Sequence, residues 1–284
     1  MTASPAETPS GKDAAYENFP VGSFLLPARL RPHVAAYYAF ARAIDDIADS
    51  PSLAAEEKIR RLSGFEDALS GRNSDPAYAK AHRMRASLDQ TGILPRHCLD
   101  LVAAFKQDAI KLRYRDWGDL LGYCILSAAP VGRYLLDLHG GSRDGYAFSD
   151  ALCMALQVIN HLQDCQDDYR SLNRVYLPGD WMAAECVRVE ELDASQASPA
   201  LRRVLDRTLS ATEQLMADAR RLPGGLISRR LAMESGAIVA IADALIVRLR
   251  KMDPLARRVQ LGKPAFLACC LKGAVTGLFA GRPS

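Results

Sequence analysis

Hydrophobic and polar positions along this chain repeat with the 3.6-residue period of the α-helix almost throughout. No run alternates apolar and polar residues as a half-buried strand does. The period predicts a short helix or turn over 16–24, broken by Pro20. A helix carrying 38–49 follows, with Pro27 and Pro32 punctuating its start and Pro51 and Ser52 its end. Further helices are expected over 56–69, near 77–90 and over 96–111, with a turn over 71–76. The stretch 116–138 is mostly apolar, and Pro130 predicts a kink within a buried helix. Its small residues Ser127, Ala128, Ala129 and Gly132 either leave room for a ligand or let two helices approach closely. The pattern leaves both open, and His139-Gly140-Gly141 then ends the helix. A helix over 157–168, a loop over 176–183 and helices around 201–221 and 226–251 follow. The last helix runs from the Gly262-Lys263-Pro264 turn through Phe279. It is apolar but short and interrupted by Lys272, which argues against a membrane span. Capping the core is the favoured reading, and resting against a bilayer the other.

Two of these helices carry polar stripes within apolar surroundings. Tyr38, Arg42, Asp45 and Asp49 fall at i, i+4, i+7 and i+11, with Phe40, Ile44 and Ile47 around them. Gln157, Asn160, Asp164 and Asp168 fall at i, i+3, i+7 and i+11, flanked by Leu156, Val158, Ile159 and Leu162. Aspartates one turn apart repel, and Asp is a poor residue for a helix interior. A buried face that keeps both usually has a cation to hold. One such stripe alone also fits a solvated acidic face. Two, with their apolar flanks, predict paired Asp-x-x-x-Asp motifs facing a shared cavity. Hard oxygen ligands of this kind suit Mg²⁺. Arg42, Arg170 and Arg174 suit a diphosphate, through forked charge-assisted hydrogen bonds.

The 284 residues are 49% hydrophobic, enough for a large core, and no internal linker stands out. One helical domain over 15–284 is expected, after a polar, disordered tail over 1–14. Thirty-six Lys and Arg against 33 Asp and Glu leave a net charge of +3, spread evenly, which speaks against nucleic acid as a partner. The seven cysteines form no C-x-x-C pair and read as reduced core thiols of a cytosolic protein. Cys165 has no evident base partner and reads as packing.

YAFARAIDDIAD and NHLQDCQDDYRSLNRVYLP resemble the two aspartate-rich motifs of the squalene/phytoene synthase family. YCILSAAPVGRYLLDLHG resembles that family's central helix, and the similarity runs from about residue 16 to 263. Within the family, ENFPVGSFLLPARLRPHVAAYYAFARAIDDIAD and NHLQDCQDDY are most similar to the hopanoid-pathway branch of hydroxysqualene synthases. The resemblance implies an all-α isoprenoid-synthase bundle with a central cavity. It also implies Mg²⁺ as cofactor, bound by Asp45, Asp49, Asp164 and Asp168. By position, Arg42, Asn160, Arg174 and Tyr176 match residues that hold or steer the diphosphate. Tyr38 and Gln157 match positions near the reacting end of the substrate. Tyr123 and Ala128 match the central helix's cavity wall, Phe19 an aromatic of the same pocket, and Arg258 a late diphosphate contact.

Two departures bear on the activity. Squalene and phytoene synthases usually carry Arg where this chain has Gln163, and Glu where it has Asp167. Losing a fixed positive charge beside the diphosphate changes how leaving group and cation are handled. The branch implied converts presqualene diphosphate and water to hydroxysqualene and diphosphate, a carbon–oxygen lyase reaction. It proceeds by ionisation, cation rearrangement and capture by water. Tyr38, Gln157, Asn160 and Gln163 are all candidates to position that water, and the sequence does not choose among them. The rival readings are an NADPH-dependent squalene synthase or a phytoene synthase, which Gln163 disfavours. A non-catalytic assembly factor with the same fold is a third, disfavoured because both Asp pairs are kept. The apolar substrate and product lead us to expect a cytoplasmic protein in peripheral contact with the inner membrane face. Association with the enzyme that supplies presqualene diphosphate is expected on the same ground.

Overall fold

The computed structural model describes residues 6–7, 26–141 and 143–280. Phe19 and the short helix expected over 16–24 lie outside them. So does the expected tail, except for Ala6, which is buried, and Glu7, whose carboxylate meets Lys80 at 2.5 Å.

Helices build nearly everything described. α1 (Arg31–Ala48) opens with Pro32 in its first turn, where a missing N–H costs no internal bond. It buries Tyr37, Phe40, Ile44 and Ile47 against α2 (Ala55–Leu69), α3 (Ala79–Thr91) and α4 (Arg96–Asp108). Phe40, Phe65, Leu62 and Met84 form the centre of this first apolar cluster, with Phe65 edge-on to Phe40 and to Tyr78. α5 (Trp117–Ser127), α6 (Ala129–Leu138), α7 (Tyr146–Gln163) and α8 (Cys165–Leu172) follow. After them come α9 (Gly179–Ala184), α10 (Pro199–Ala219), the single turn α11 (Leu222–Gly225), α12 (Arg229–Lys251) and α13 (Lys263–Phe279). A second cluster gathers Leu120, Ile159, Leu162, Leu205, Ile241 and Leu245.

Three features depart from the periodicity. The bend expected at Pro130 is a full break at Ala128 (φ −123°, ψ −46°). Proline has no N–H to donate and its ring excludes the carbonyl four residues back, so α5 stops and Pro130 serves the first turn of α6. The helix expected over 157–168 divides at Asp164 (φ −109°, ψ 11°), although hydrogen bonds from Asp164 N to Asn160 O and Asp168 N to Asp164 O run across the joint. The loop expected over 176–183 is instead strand β2 (Val175–Pro178) followed by α9. β2 pairs in parallel with the two-residue β1 (Arg113–Tyr114). Every β2 residue is buried, so no alternation marks it.

Asn173, in the left-handed region at φ 52°, ends α8 and turns the chain into β2. Arg113 holds that turn by donating to the Asn173 side chain at 2.6 Å. Cys98, Cys124 and Cys165 are buried as core thiols, whereas Cys186 is exposed. α12 and α13 touch backbone to backbone: a Cβ on Gly236 or Gly273 would strike the other helix's main chain.

Candidate active site

A cavity of about 400 Å³ lies between the two apolar clusters and is lined from both. Its polar end is built from the two stripes. Tyr38, Arg42, Asp45 and Asp49 reach it from α1, and Gln157, Asn160, Asp164 and Asp168 from α7 and the start of α8. Tyr123 of α5, Arg174 and Tyr176 at β2, and Arg258 of the segment between α12 and α13 complete that end.

Four candidates are placed elsewhere or not at all. Ala128 is buried behind the wall, and its neighbour Ser127 lines the cavity instead. Gln163 is buried off the wall, its amide donating to the Val259 carbonyl, which corrects the expectation that it could hold a water in the cavity. Arg170 is exposed and pairs with Asp193 at 2.5 Å, away from the cavity. Phe19 is outside the described residues. Of the small residues in the α5–α6 region, Ser127 and Gly132 line the cavity, and Gly132 is also a close-packing position: a Cβ there would strike Ser149 of α7.

Each acid of the two stripes meets a basic group. Arg42 lies 3.2 Å from Asp45 and 3.2 Å from Asp46. Arg174 donates to Asp49 at 2.6 Å and to the Ala48 carbonyl at 2.7 Å, and Lys58 donates to that same carbonyl at 2.8 Å. Two buried cations thus complete the carbonyl end of α1, where the helix dipole is negative. Arg258 brackets Asp164, with Nε at 2.9 Å and Nη2 at 3.1 Å. His161 Nδ1 lies 3.9 Å from Asp168. Burial pushes the Asp164 carboxyl above its ordinary range; Arg258 opposes the shift, and Asp168 and Asp167 add to it.

Asp108, at the end of α4, is a cavity residue that the stripes do not reveal. It accepts from the Tyr123 hydroxyl at 2.6 Å and from the Tyr176 hydroxyl at 3.1 Å. Burial pushes its carboxyl up to about 6, against the pull of Arg174 and the two hydroxyls. The signal was there to be read: Leu101, Ala104, Phe105 and Asp108 fall at i, i+3, i+4 and i+7, an acid on an apolar face. Beside it His161 stacks on Tyr176 with ring centres 3.6 Å apart, and Tyr114 stacks on Tyr176 at 5.5 Å.

The rest of the cavity is mostly apolar, with Val34, Leu101, Val131, Leu152 and Leu231 in its wall, and with Glu234 and Ser235 of α12 as buried polar exceptions. Tyr37 lies on this side, stacked on Tyr134 at 4.1 Å. The hydroxyls of Tyr37 and Ser127 are buried on the wall with no hydrogen-bond partner among the described residues.

Among the described residues, no three His, Cys, Asp or Glu groups converge as the ligand set of one metal ion. Paired carboxylates still fit Mg²⁺, which usually takes one or two carboxylates and completes its octahedron with waters and substrate phosphates. The site supplies hard donors in pairs, and cations for the remaining phosphate charge.

The squalene/phytoene synthase family model matches residues 13–265 of this chain, a span that holds every polar residue of the cavity named above. The chain belongs to the squalene/phytoene synthase family. It is 43% identical to a hydroxysqualene synthase from Rhodopseudomonas palustris, over 98% of this chain and 94% of the relative. It is 41% identical to a hydroxysqualene synthase from Sinorhizobium fredii, over 86% of this chain and 83% of the relative. Among solved structures, a squalene synthase HpnC from Alicyclobacillus acidocaldarius superposes with a TM-score of 0.71 at 30% identity, covering 83% of this chain and 89% of that one. The fold is therefore the squalene-synthase type of isoprenoid-synthase bundle, and the protein is a terpenoid synthase.

Proposed function

We propose that this member of the squalene/phytoene synthase family converts presqualene diphosphate and water to hydroxysqualene and diphosphate, a carbon–oxygen lyase step in hopanoid formation. The observation that carries the reading is the meeting of both aspartate stripes at the polar head of one cavity whose remaining wall is mostly apolar. Its likeness to hydroxysqualene synthases along nearly its whole length supports the choice within the family.

In this reading the diphosphate lies among Arg42, Arg174, Arg258 and Asn160, and the C30 chain fills the apolar end. Mg²⁺ held by Asp45, Asp49, Asp164 and Asp168 would supply Lewis-acid neutralisation of the departing diphosphate. The C–O bond breaks with its electron pair leaving on the diphosphate, and the cyclopropylcarbinyl cation rearranges within the cavity. Walls such as Leu152, Leu156 and Val131 offer no nucleophile, and Tyr38 supplies an aromatic face to the cation. One water then adds to the cation and loses a proton. Tyr38, Gln157 and Asn160 remain candidates to hold that water, and the unpartnered hydroxyls of Ser127 and Tyr37 join them. Gln163 acts at one remove: its bond to Val259 fixes the segment from which Arg258 reaches Asp164.

The reading includes peripheral contact with the inner membrane face and association with the enzyme that makes presqualene diphosphate. The test is a product assay on purified protein with presqualene diphosphate and Mg²⁺, without NADPH, analysed by mass spectrometry. A C30 alcohol with released diphosphate is expected. Squalene formed only when NADPH is added would instead identify a reductive synthase. An inert protein with both presqualene and farnesyl diphosphates would favour a non-catalytic assembly role.

A further inference from the structure

Among the described residues, α13 is in contact with the rest of the molecule along one side only. Its inner side packs backbone to backbone on α12. Leu267, Leu271 and Val275, at i, i+4 and i+8, form an apolar stripe on the other side, and Phe279 extends it with 78% of its surface exposed. Ile227, in the turn before α12, is 74% exposed. Soluble surfaces carry single exposed apolar residues routinely, but an aligned set on one helix marks a contact surface.

The exposed charges on α13 and on the turn into α12 are all basic. Residues 263–279 contain no Asp or Glu, and Lys263 and Lys272 fall on opposite flanks of the stripe at 100° per residue. Arg229 and Arg230, both exposed, stand two and three residues beyond Ile227. The next acid along α12 is Glu234, which is buried and turned to the cavity. An apolar stripe between cations matches the boundary between acyl chains and anionic headgroups. No helix among the described residues is long and apolar enough to cross a membrane, so α13 suits lying on one.

The same region adjoins the apolar end of the cavity. Leu222, Leu226 and Leu231 line the cavity. Leu226 also lines a small outer groove with Arg229, Gly277 and Leu278, beneath the end of α13. One side chain therefore separates the substrate chamber from a groove under the end of α13. We infer that the outer face of α13, with Ile227 and its flanking cations, docks on an anionic lipid surface and sets the apolar end of the cavity beside the acyl chains. This rests on the proposed function, whose membrane contact it assigns to a surface and whose apolar cargo it places beside the lipid.

The test is sedimentation of the full chain with vesicles of phosphatidylcholine alone and of phosphatidylcholine with phosphatidylglycerol. Binding is expected to the anionic vesicles and to weaken as salt is raised. Leu271→Glu and Val275→Glu each replace an outward side chain, and each should bind about tenfold more weakly with an unchanged helical spectrum. Arg229→Glu with Arg230→Glu should remove the preference for anionic lipid. A wild-type chain that stays in solution with anionic vesicles overturns the inference, as does a Leu271→Glu protein that binds like wild type. A wild-type dimer that Leu271→Glu converts to a monomer overturns it too, by assigning the face to a second copy. Vesicle binding is measured without turnover, so its failure leaves the proposed reaction standing, and failure of the reaction leaves the docking result intact.

Discussion

The two aspartate stripes look alike in sequence and are held in different ways. The stripe on α1 runs along an unbroken helix whose last carbonyl is bound by two buried cations, Arg174 and Lys58. The stripe on α7 and α8 passes through a break at Asp164, and its cation, Arg258, comes from 94 residues away on a part-exposed segment. One stripe is fixed by buried cations that also feel the buried Asp108. The other is met by a cation about a third of whose side chain is exposed, 31% by surface. The contrast suggests a division of labour, with a rigidly anchored acid pair on one side of the diphosphate and one anchored by a part-exposed cation on the other.

Removing the cation on each side separates the two most sharply. Arg174→Ala takes the donor from Asp49 and the nearby cation from buried Asp108, leaves the Ala48 carbonyl to Lys58 alone, and should cost about 1.5–3 kcal/mol of stability in urea unfolding. Arg258→Ala, at a half-exposed pair, should cost under about 1 kcal/mol of stability but lower kcat/KM by about 10- to 100-fold. Equal stability losses would erase the distinction. For the acids themselves, Asp49→Ala and Asp164→Ala should each reduce turnover by about a thousandfold with the helical fold intact. Unchanged turnover in either would remove that residue from the metal-binding set.

Asp108 belongs to the rigid side, through Tyr123, Tyr176 and Arg174, and gives it a pH signature. Its carboxyl titrates near 6 in the folded protein, above the ordinary range because of burial. Its contribution to stability is full below about pH 4, where both states are protonated, and is lost as the pH rises through 6 and the folded group must ionise. Asp108→Asn abolishes that loss. The variant should therefore gain on wild type by about 2–3 kcal/mol between pH 4 and 7, on top of a constant cost for the altered tyrosine contacts. A gap that does not change with pH would contradict the assignment. A last pair of variants tests the other side. Gln163→Ala leaves the Val259 carbonyl unpaired and should cost about 1–3 kcal/mol, whereas Gln157→Ala, on the cavity wall, should stay within about 0.5 kcal/mol of wild type.

The same contrast explains what could be read from the chain. The α1 stripe was legible because its residues and its first cation, Arg42, lie on one helix and obey one period. Tyr38, Arg42, Asp45 and Asp49 all reach the cavity as their spacing requires. The second stripe was legible in composition but not in form: nothing local announces the break at Asp164. Gln163, one residue away, faces Val259 rather than the cavity, a placement fixed by a segment almost a hundred residues later. Strand β2 escaped because a fully buried four-residue run has no alternation to show. Asp108 was within reach, as an acid on the apolar face of α4, but it belongs to no repeated motif. Arg258 came from resemblance alone, as a diphosphate contact, and its pairing with Asp164 went unforeseen, since long-range pairing leaves no mark in periodicity.

The measurement closest to the centre of this account is turnover of presqualene diphosphate with Mg²⁺ in ¹⁸O-labelled water, with the alcohol product analysed by mass spectrometry. Capture of the cation by water within the cavity predicts a C30 alcohol carrying ¹⁸O. An alcohol that retains only the unlabelled oxygen of the diphosphate ester, or a hydrocarbon with no oxygen at all, would contradict it.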